Sequence, residues 1–148
     1  MLIMKTQNIN VLGYTGNNSQ FVVKTTNTDL RINQNNRYPE LEGPSPYEYI
    51  LAGFAGCINA LGQLVATELG INLRSLQIEI TGSLNNASAK ERPGFNKIEI
   101  LLKPAVTAPL DVLQRWMKEV QFRSPVYDSL VNNTPVNLTL YKDYSVVN

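Results

Sequence analysis

The sequence predicts an α+β domain arranged around one long central helix. Short alternating stretches fill the N-terminal third. A 19-residue run without a charged side chain, Tyr49 to Thr67, then interrupts them. Two more alternating stretches follow, then one or two helical segments and a last alternating stretch. This order lacks the regular strand–helix alternation that marks a parallel sheet.

Ile9 to Tyr14, Phe21 to Thr26 and Leu30 to Asn33 read as short strands. Asn-Asn pairs at 17–18, 35–36, 85–86 and 132–133 fall between apolar stretches and read as turns, a conformation that asparagine tolerates. Gln34 to Ser45 is polar and irregular, with Pro39, Gly43 and Pro44. Pro46 to Leu69 then reads as one helix. Ser45 is a good N-cap, Pro46 suits the first helical position, and Glu48 completes a capping box. Gly70 is a good stop. Ile50, Phe54, Cys57, Leu61 and Leu64 form one apolar stripe, and Leu51, Ala55, Ile58 and Val65 form another. A helix apolar on most faces is a buried one. The N-terminal strands, the second helix and the last strand are expected to cover about half of it, and a second subunit the rest. Gly53, Gly56 and Gly62 each cost about 1 kcal/mol relative to alanine in a helix, so close approach of another backbone, or tight helix packing, should compensate.

Leu76 to Leu84 alternates, with Leu76, Ile78 and Ile80 on one face. Phe95 to Lys103 does so in part, through Ile98, Ile100 and Leu102. A polar loop, Asn85 to Gly94, joins them and reads as long and mobile. Pro109 to Phe122 is an amphipathic helix with Leu110, Leu113, Met117 and Val120 on one face. Asp111, Arg115 and Glu119 are spaced for pairing one turn apart. Ser124 to Val131 is a short helix with Pro125 at its first position, and Val136 to Tyr141 is the final strand.

At 148 residues and 43% hydrophobic content the chain suits a single domain, residues 1–148. The net charge is +1 and the seven Lys and six Arg are scattered, which argues against a nucleic-acid partner. The Tyr49–Thr67 run has the length of a minimal bilayer span, but Asn59 and Gln63 form a polar seam on it, and no membrane association is expected. Met1-Leu-Ile-Met-Lys carries no secretory pattern, so the cytoplasm is the expected compartment. Histidine is absent, which removes Ser-His-Asp and Cys-His nucleophilic mechanisms and the usual catalytic zinc sites. No glycine-rich phosphate loop occurs. No cofactor and no metal are expected.

Cys57 is the single cysteine, so no internal disulfide exists. A buried, unassisted cysteine is an inert packing residue, whereas a neighbouring cation makes a reactive thiolate. Without histidine that cation must be Arg or Lys; Arg31, Arg37 and Arg123 are the candidates. Residue chemistry leaves both readings open.

The segment Gly43-Pro-Ser-Pro-Tyr-Glu-Tyr-Ile-Leu-Ala-Gly-Phe-Ala-Gly-Cys57 resembles the signature of the OsmC/Ohr family, the osmotically induced and organic-hydroperoxide-resistance proteins. Ser124-Pro125-Val126 is similar to that family's second landmark, a Cys-Pro-Val. The resemblance implies an OsmC-like fold in an intertwined homodimer, with sites where the subunits meet. It implies a first cysteine that attacks a hydroperoxide, a second that resolves it, and an Arg and a Glu that hold the thiolate. The sequence departs from that pattern twice. Ser124 replaces the resolving cysteine, and Tyr47 stands where the glutamate usually follows the proline. Glu48 comes one residue later, turned by about 100°, and is better placed to cap the helix.

The leading expectation is a one-cysteine, OsmC-like redox protein. Cys57 would reduce an organic hydroperoxide, Arg37 would steady the thiolate, and an external thiol would act as resolver. Ser124 would line the site, with Tyr47, Phe54 and Tyr127 as apolar walls. The alternative is a non-catalytic protein binding a small apolar ligand at the dimer interface, with Cys57 as packing. A third option is a sensor whose Cys57 oxidation shifts the dimer.

Overall fold

The computed structural model describes residues 6–16, 19–33, 41–85, 92–142 and 145–147. Arg37, the Asn pairs at 17–18 and 35–36, and most of the Asn85–Gly94 loop lie outside the described residues. The fold is α+β and its packing divides into two compact units, Met1–Ala52 and Gly53–Asn148.

The first unit holds an antiparallel meander of β1 (Leu12–Thr15), β2 (Phe21–Lys24) and β3 (Asp29–Ile32). Its anchor is Gln20, a buried polar side chain. Nε2–H groups donate to the Ile32 and Glu42 carbonyls (both 3.1 Å), and Oε1 accepts from the Glu42 amide at 2.9 Å. One side chain thereby ties the segment entering the helix to the sheet. Gly43 follows at φ +103°, where an added Cβ would collide with the Arg31 carbonyl. Only glycine fits both the conformation and the space. Ser45 and Glu48 close the capping box in both directions, the Glu48 amide on Ser45 Oγ (3.1 Å) and the Ser45 amide on Glu48 Oε1 (2.9 Å). Helix α1 (Pro46–Glu68) starts there, one residue shorter at its end than the sequence reading.

The second unit packs the rest of α1 against a two-stranded ribbon, β4 (Ser75–Leu84) and β5 (Phe95–Ala105), and against α2 (Leu110–Arg123). The register pairs Ile78 with Leu102, Ile80 with Ile100 and Gly82 with Ile98, so the apolar positions share one face as their alternation predicts. The core consists of Phe54, Ile58, Val65 and Ala66 of α1 with Trp116 and Val120 of α2. The covering partners therefore include the β4–β5 ribbon, which the sequence reading did not assign to this helix.

Four details differ from the sequence expectations. The buried stripe of α1 mixes the two anticipated ones, running Phe54, Ile58, Gly62, Val65. On α2 the inward residues are Leu113, Trp116 and Val120, while Leu110 and Met117 are exposed. Among the described residues Asp111, Arg115 and Glu119 form no ion pair with one another; the Glu119 charge acts on Arg123 instead. The last strand begins late. Residues 133–139 have no regular structure, and β6 (Leu140–Lys142) pairs with β7 (Ser145–Val147). Val136 and Leu138 alternate correctly yet are 78% and 87% exposed, because no strand among the described residues pairs with them. A short helix, α3 (Pro125–Val131), begins at Pro125 as expected.

Trp116 sets the distance between α2 and α1. Its Nε1–H donates to the Gly62 carbonyl at 2.8 Å, and a Cβ on Gly62 would come within 3.1 Å of both the Trp116 ring and Leu76. The other two helix glycines differ: a Cβ on Gly53 or Gly56 meets nothing within 4 Å. The close approach they suggest is not made among the described residues.

Across the far ends of the two helices, Arg123 donates to both Glu68 carboxylate oxygens, at 2.6 and 3.4 Å. Hydrogen bonding to Arg123 holds the Glu68 carboxyl below its ordinary range, and the same contact raises Arg123. A lowered carboxyl contributes stability above its unfolded value, and that contribution is lost as pH falls through its folded value. Arg123 stays charged throughout the working range. Glu68→Gln should lower the melting temperature slightly at about pH 7 and should no longer do so in acid strong enough to protonate Glu68 in the folded protein, beneath the ordinary carboxylate range. Equal melting-temperature differences at both pH values would remove the pair's role.

Trp116→Phe keeps the ring but deletes the N–H and leaves a void. It should cost about 1–2 kcal/mol, read from urea unfolding followed by circular dichroism, since the variant lacks the chain's one tryptophan. An unchanged urea midpoint would show that the Gly62 contact contributes nothing.

Candidate functional site

Helix α2 ends at Arg123 because Pro125 can neither donate the next amide nor accept helical packing behind it. Ser124 between them is extended (φ −78°, ψ 114°) and becomes the N-cap of α3. Its Oγ accepts the Tyr127 amide at 3.1 Å. The same oxygen lies 3.4 Å from Cys57 Sγ on α1. The break between two helices thus delivers a hydroxyl to the thiol. Ser124 is only 2% exposed, and Cys57 is half-buried.

A groove of about 360 Å³ opens against Ser124, the hydroxyl member of this pair. Phe54, Ile58, Ile100, Met117 and Val120 supply apolar walls. Polar groups gather where Ser124, Gln121 and Tyr127 meet, and the Gln121 amide donates to the Tyr127 hydroxyl at 2.6 Å. A neighbouring hollow of about 380 Å³ shares Phe54 and Tyr127 and is bordered by Arg92 and Lys97. The arrangement suits an apolar molecule with one polar end.

Of the residues singled out in sequence, Ser124, Phe54 and Tyr127 line the groove, and Cys57, which does not line it, meets it through Ser124 Oγ. Glu48 does not join them; its carboxylate is held by the cap of α1. Tyr47, about half exposed, belongs to the first unit, whereas the groove is lined from the second. Arg37 lies outside the described residues. The other two candidate cations are engaged elsewhere: Arg31 pairs with Glu42, and Arg123 with Glu68. Glu68 is eleven residues along α1 from Cys57, about 16 Å of helix rise. Among the described residues no arginine or lysine hydrogen-bonds to Sγ. No cluster of His, Cys, Asp and Glu that could hold a metal occurs among them either.

Sequence reasoning overlooked Gln121, Met117 and Arg92 as groove residues. Gln121 was findable, since it lies one helical turn before the Ser124-Pro125 break. Arg92 sits at the edge of a loop and carried no periodic signal.

Several solved structures share this fold. An OsmC-like protein from Mycoplasma pneumoniae superposes with a TM-score of 0.79 at 16% identity, over 86% of this chain and 89% of that one. The organic hydroperoxide resistance protein OhrB of Bacillus subtilis gives 0.61 at 21% identity, over 86% and 93%. An OsmC-like hydroperoxide resistance protein from Jannaschia gives 0.62 at 14% identity, over 93% of each. No curated protein matches the chain in sequence. The family model described as OsmC-like protein matches residues 39–139, a span that holds α1, the β4–β5 ribbon, α2, α3 and both members of the Cys57–Ser124 pair. With about two thirds of its length matched, the chain belongs to the OsmC-like protein family.

Proposed function

We propose that this protein reduces an apolar organic hydroperoxide through Cys57, with an external thiol as resolver. The 3.4 Å contact between Cys57 Sγ and Ser124 Oγ, beside an apolar groove, carries this reading. Two of the similar structures are named hydroperoxide resistance proteins, which supports a redox role at the level of the family.

The thiolate attacks the outer oxygen of the peroxide and the O–O bond breaks. The departing alkoxide takes a proton and leaves as an alcohol, while the sulfur, oxidised by two electrons, becomes a sulfenic acid. A serine at position 124 cannot form the disulfide that a cysteine would. An external thiol therefore attacks the oxidised sulfur and water leaves. A second thiol then cleaves the mixed disulfide and restores Cys57. The reducing cytoplasm is the compartment that supplies such thiols.

The second reading is binding of a small apolar ligand without chemistry. It is favoured by one observation: among the described residues no cation touches Sγ. Mass spectrometry of Cys57 after one equivalent of cumene hydroperoxide, against Cys57→Ser, separates the two. Sulfenic acid within seconds is the expected result. A thiol intact after minutes at neutral pH, in protein that still binds the hydroperoxide, would leave the binding reading.

The working form in this proposal is a homodimer. Gly53 and Gly56 face open space on α1, Leu64 is exposed on the same helix, and Val136 and Leu138 await a sheet face. A second copy that covers these surfaces offsets the cost of the glycines. Sedimentation velocity at micromolar concentration should give a dimer, and a monomer there would exclude it.

A further inference from the structure

We propose that Ser124 is the hydrogen-bond donor that holds and activates the Cys57 sulfur, a neutral substitute for a cation. This rests on the reading that Cys57 is the reacting group.

A serine hydroxyl has one hydrogen and two acceptor sites. One acceptor site of Ser124 Oγ is filled by the Tyr127 amide, which fixes the side chain in one orientation. Its remaining contact is Cys57 Sγ, at 3.4 Å. While Cys57 keeps its proton, either group can be the donor. Once the sulfur is anionic it has no hydrogen to give, and the Ser124 hydrogen must lie along that line. A hydrogen bond to an ion is roughly twice as strong as one between neutral groups. A donor on that line stabilises the anion while desolvation of the half-buried sulfur opposes it, and Ser124, at 2% exposure, meets little competing water. The amide on Oγ polarises the hydroxyl further.

Most charged groups on the surrounding elements have other duties, and Arg92, just before β5, borders the neighbouring hollow without a hydrogen bond to Sγ. Tyr49 to Thr67 of α1 carries none. On α2, Arg123 is held by Glu68, and Arg115, Lys118 and Glu119 are at exposed positions. On α3 the Asp128 carboxylate accepts from Asn132 at 2.9 Å. On the ribbon Lys97 pairs with Glu99 and Lys103 with Glu79. Within the described part of this chain, the Ser124 hydroxyl is the polar group presented to the sulfur.

The test is the rate at which iodoacetamide, a small uncharged alkylating agent, modifies Cys57 at about pH 7 and about pH 10 in wild type, Ser124→Ala, Ser124→Gly and Ser124→Thr, each checked by circular dichroism. Glycine is included because it costs an N-cap only a few tenths of a kcal/mol, so the donor is removed in at least one folded variant. Ala and Gly should react about tenfold more slowly at the lower pH, the effect of losing one charge-assisted bond. They should converge with wild type at the higher pH, above the ordinary thiol range. Thr, which keeps the hydroxyl, should behave as wild type. Equal rates at the lower pH, or the same slowing at both pH values, would overturn the proposal, since a mere change in access acts alike on both. The peroxide assay run beside it separates the two claims. A tenfold loss with no sulfenic acid in the wild type keeps the role of Ser124 and removes the peroxidase. Sulfenic acid formed equally fast with and without the hydroxyl does the reverse.

Discussion

The contact of Trp116 with Gly62 fixes how α2 lies on α1, and the rest of the second unit follows from it. A tryptophan can bury its ring only if its N–H finds an acceptor, and here the acceptor is a carbonyl on the neighbouring helix. That bond brings the edge of the ring against α1 at Gly62, where an added Cβ would come within 3.1 Å of it. Once α2 is seated at this height, its C-terminal break falls beside Cys57. The hydroxyl of Ser124 reaches the thiol because an indole eight residues earlier found its place.

The same geometry turns the charge of Arg123 away from the sulfur. Arg123 precedes Ser124 directly, yet its guanidinium faces the end of α1 and is held there by both oxygens of Glu68. Neighbours in sequence at a helix end point in different directions, since each residue turns the side chain by about 100°. The chain thus offers Cys57 a hydroxyl and keeps the arginine next to that serine in sequence occupied.

Much of this was legible in the residues, for physical reasons that can be named. The start of α1 is encoded locally, by Ser45, Pro46 and Glu48, and the cap bonds form as those residue types dictate. The ribbon faces follow from alternation alone. The resemblance of the Gly43–Cys57 segment and of Ser124-Pro125-Val126 to a known family fitted the family that the chain belongs to. What escaped depends on distant partners. Gln20 looks like any polar loop residue until Ile32 and Glu42 come round to it. Trp116 was passed over because Leu110 and Met117 complete a better stripe on paper, although the indole has more area to bury. Val136 to Tyr141 alternates as a strand should, but alternation states only that a face is wanted. It does not say that the same chain provides it.

A hydroxyl and a guanidinium beside a thiol differ in what they admit. A guanidinium steadies a thiolate and also attracts anions into the pocket. A buried hydroxyl steadies the sulfur through one directed bond and carries no net charge. Around it the groove is built from Phe54, Ile58, Ile100, Met117 and Val120, which penalise any ion that leaves water without a partner. In the proposed reading, specificity then follows from desolvation. An uncharged hydroperoxide enters at little cost, with its polar end toward Ser124, Gln121 and Tyr127. The external thiol that follows must approach from the open side of the groove, because Ser124 holds the place a second sulfur would need. The substitution that removes internal resolution is, on this argument, also the one that makes a neutral, apolar oxidant the preferred partner of Cys57.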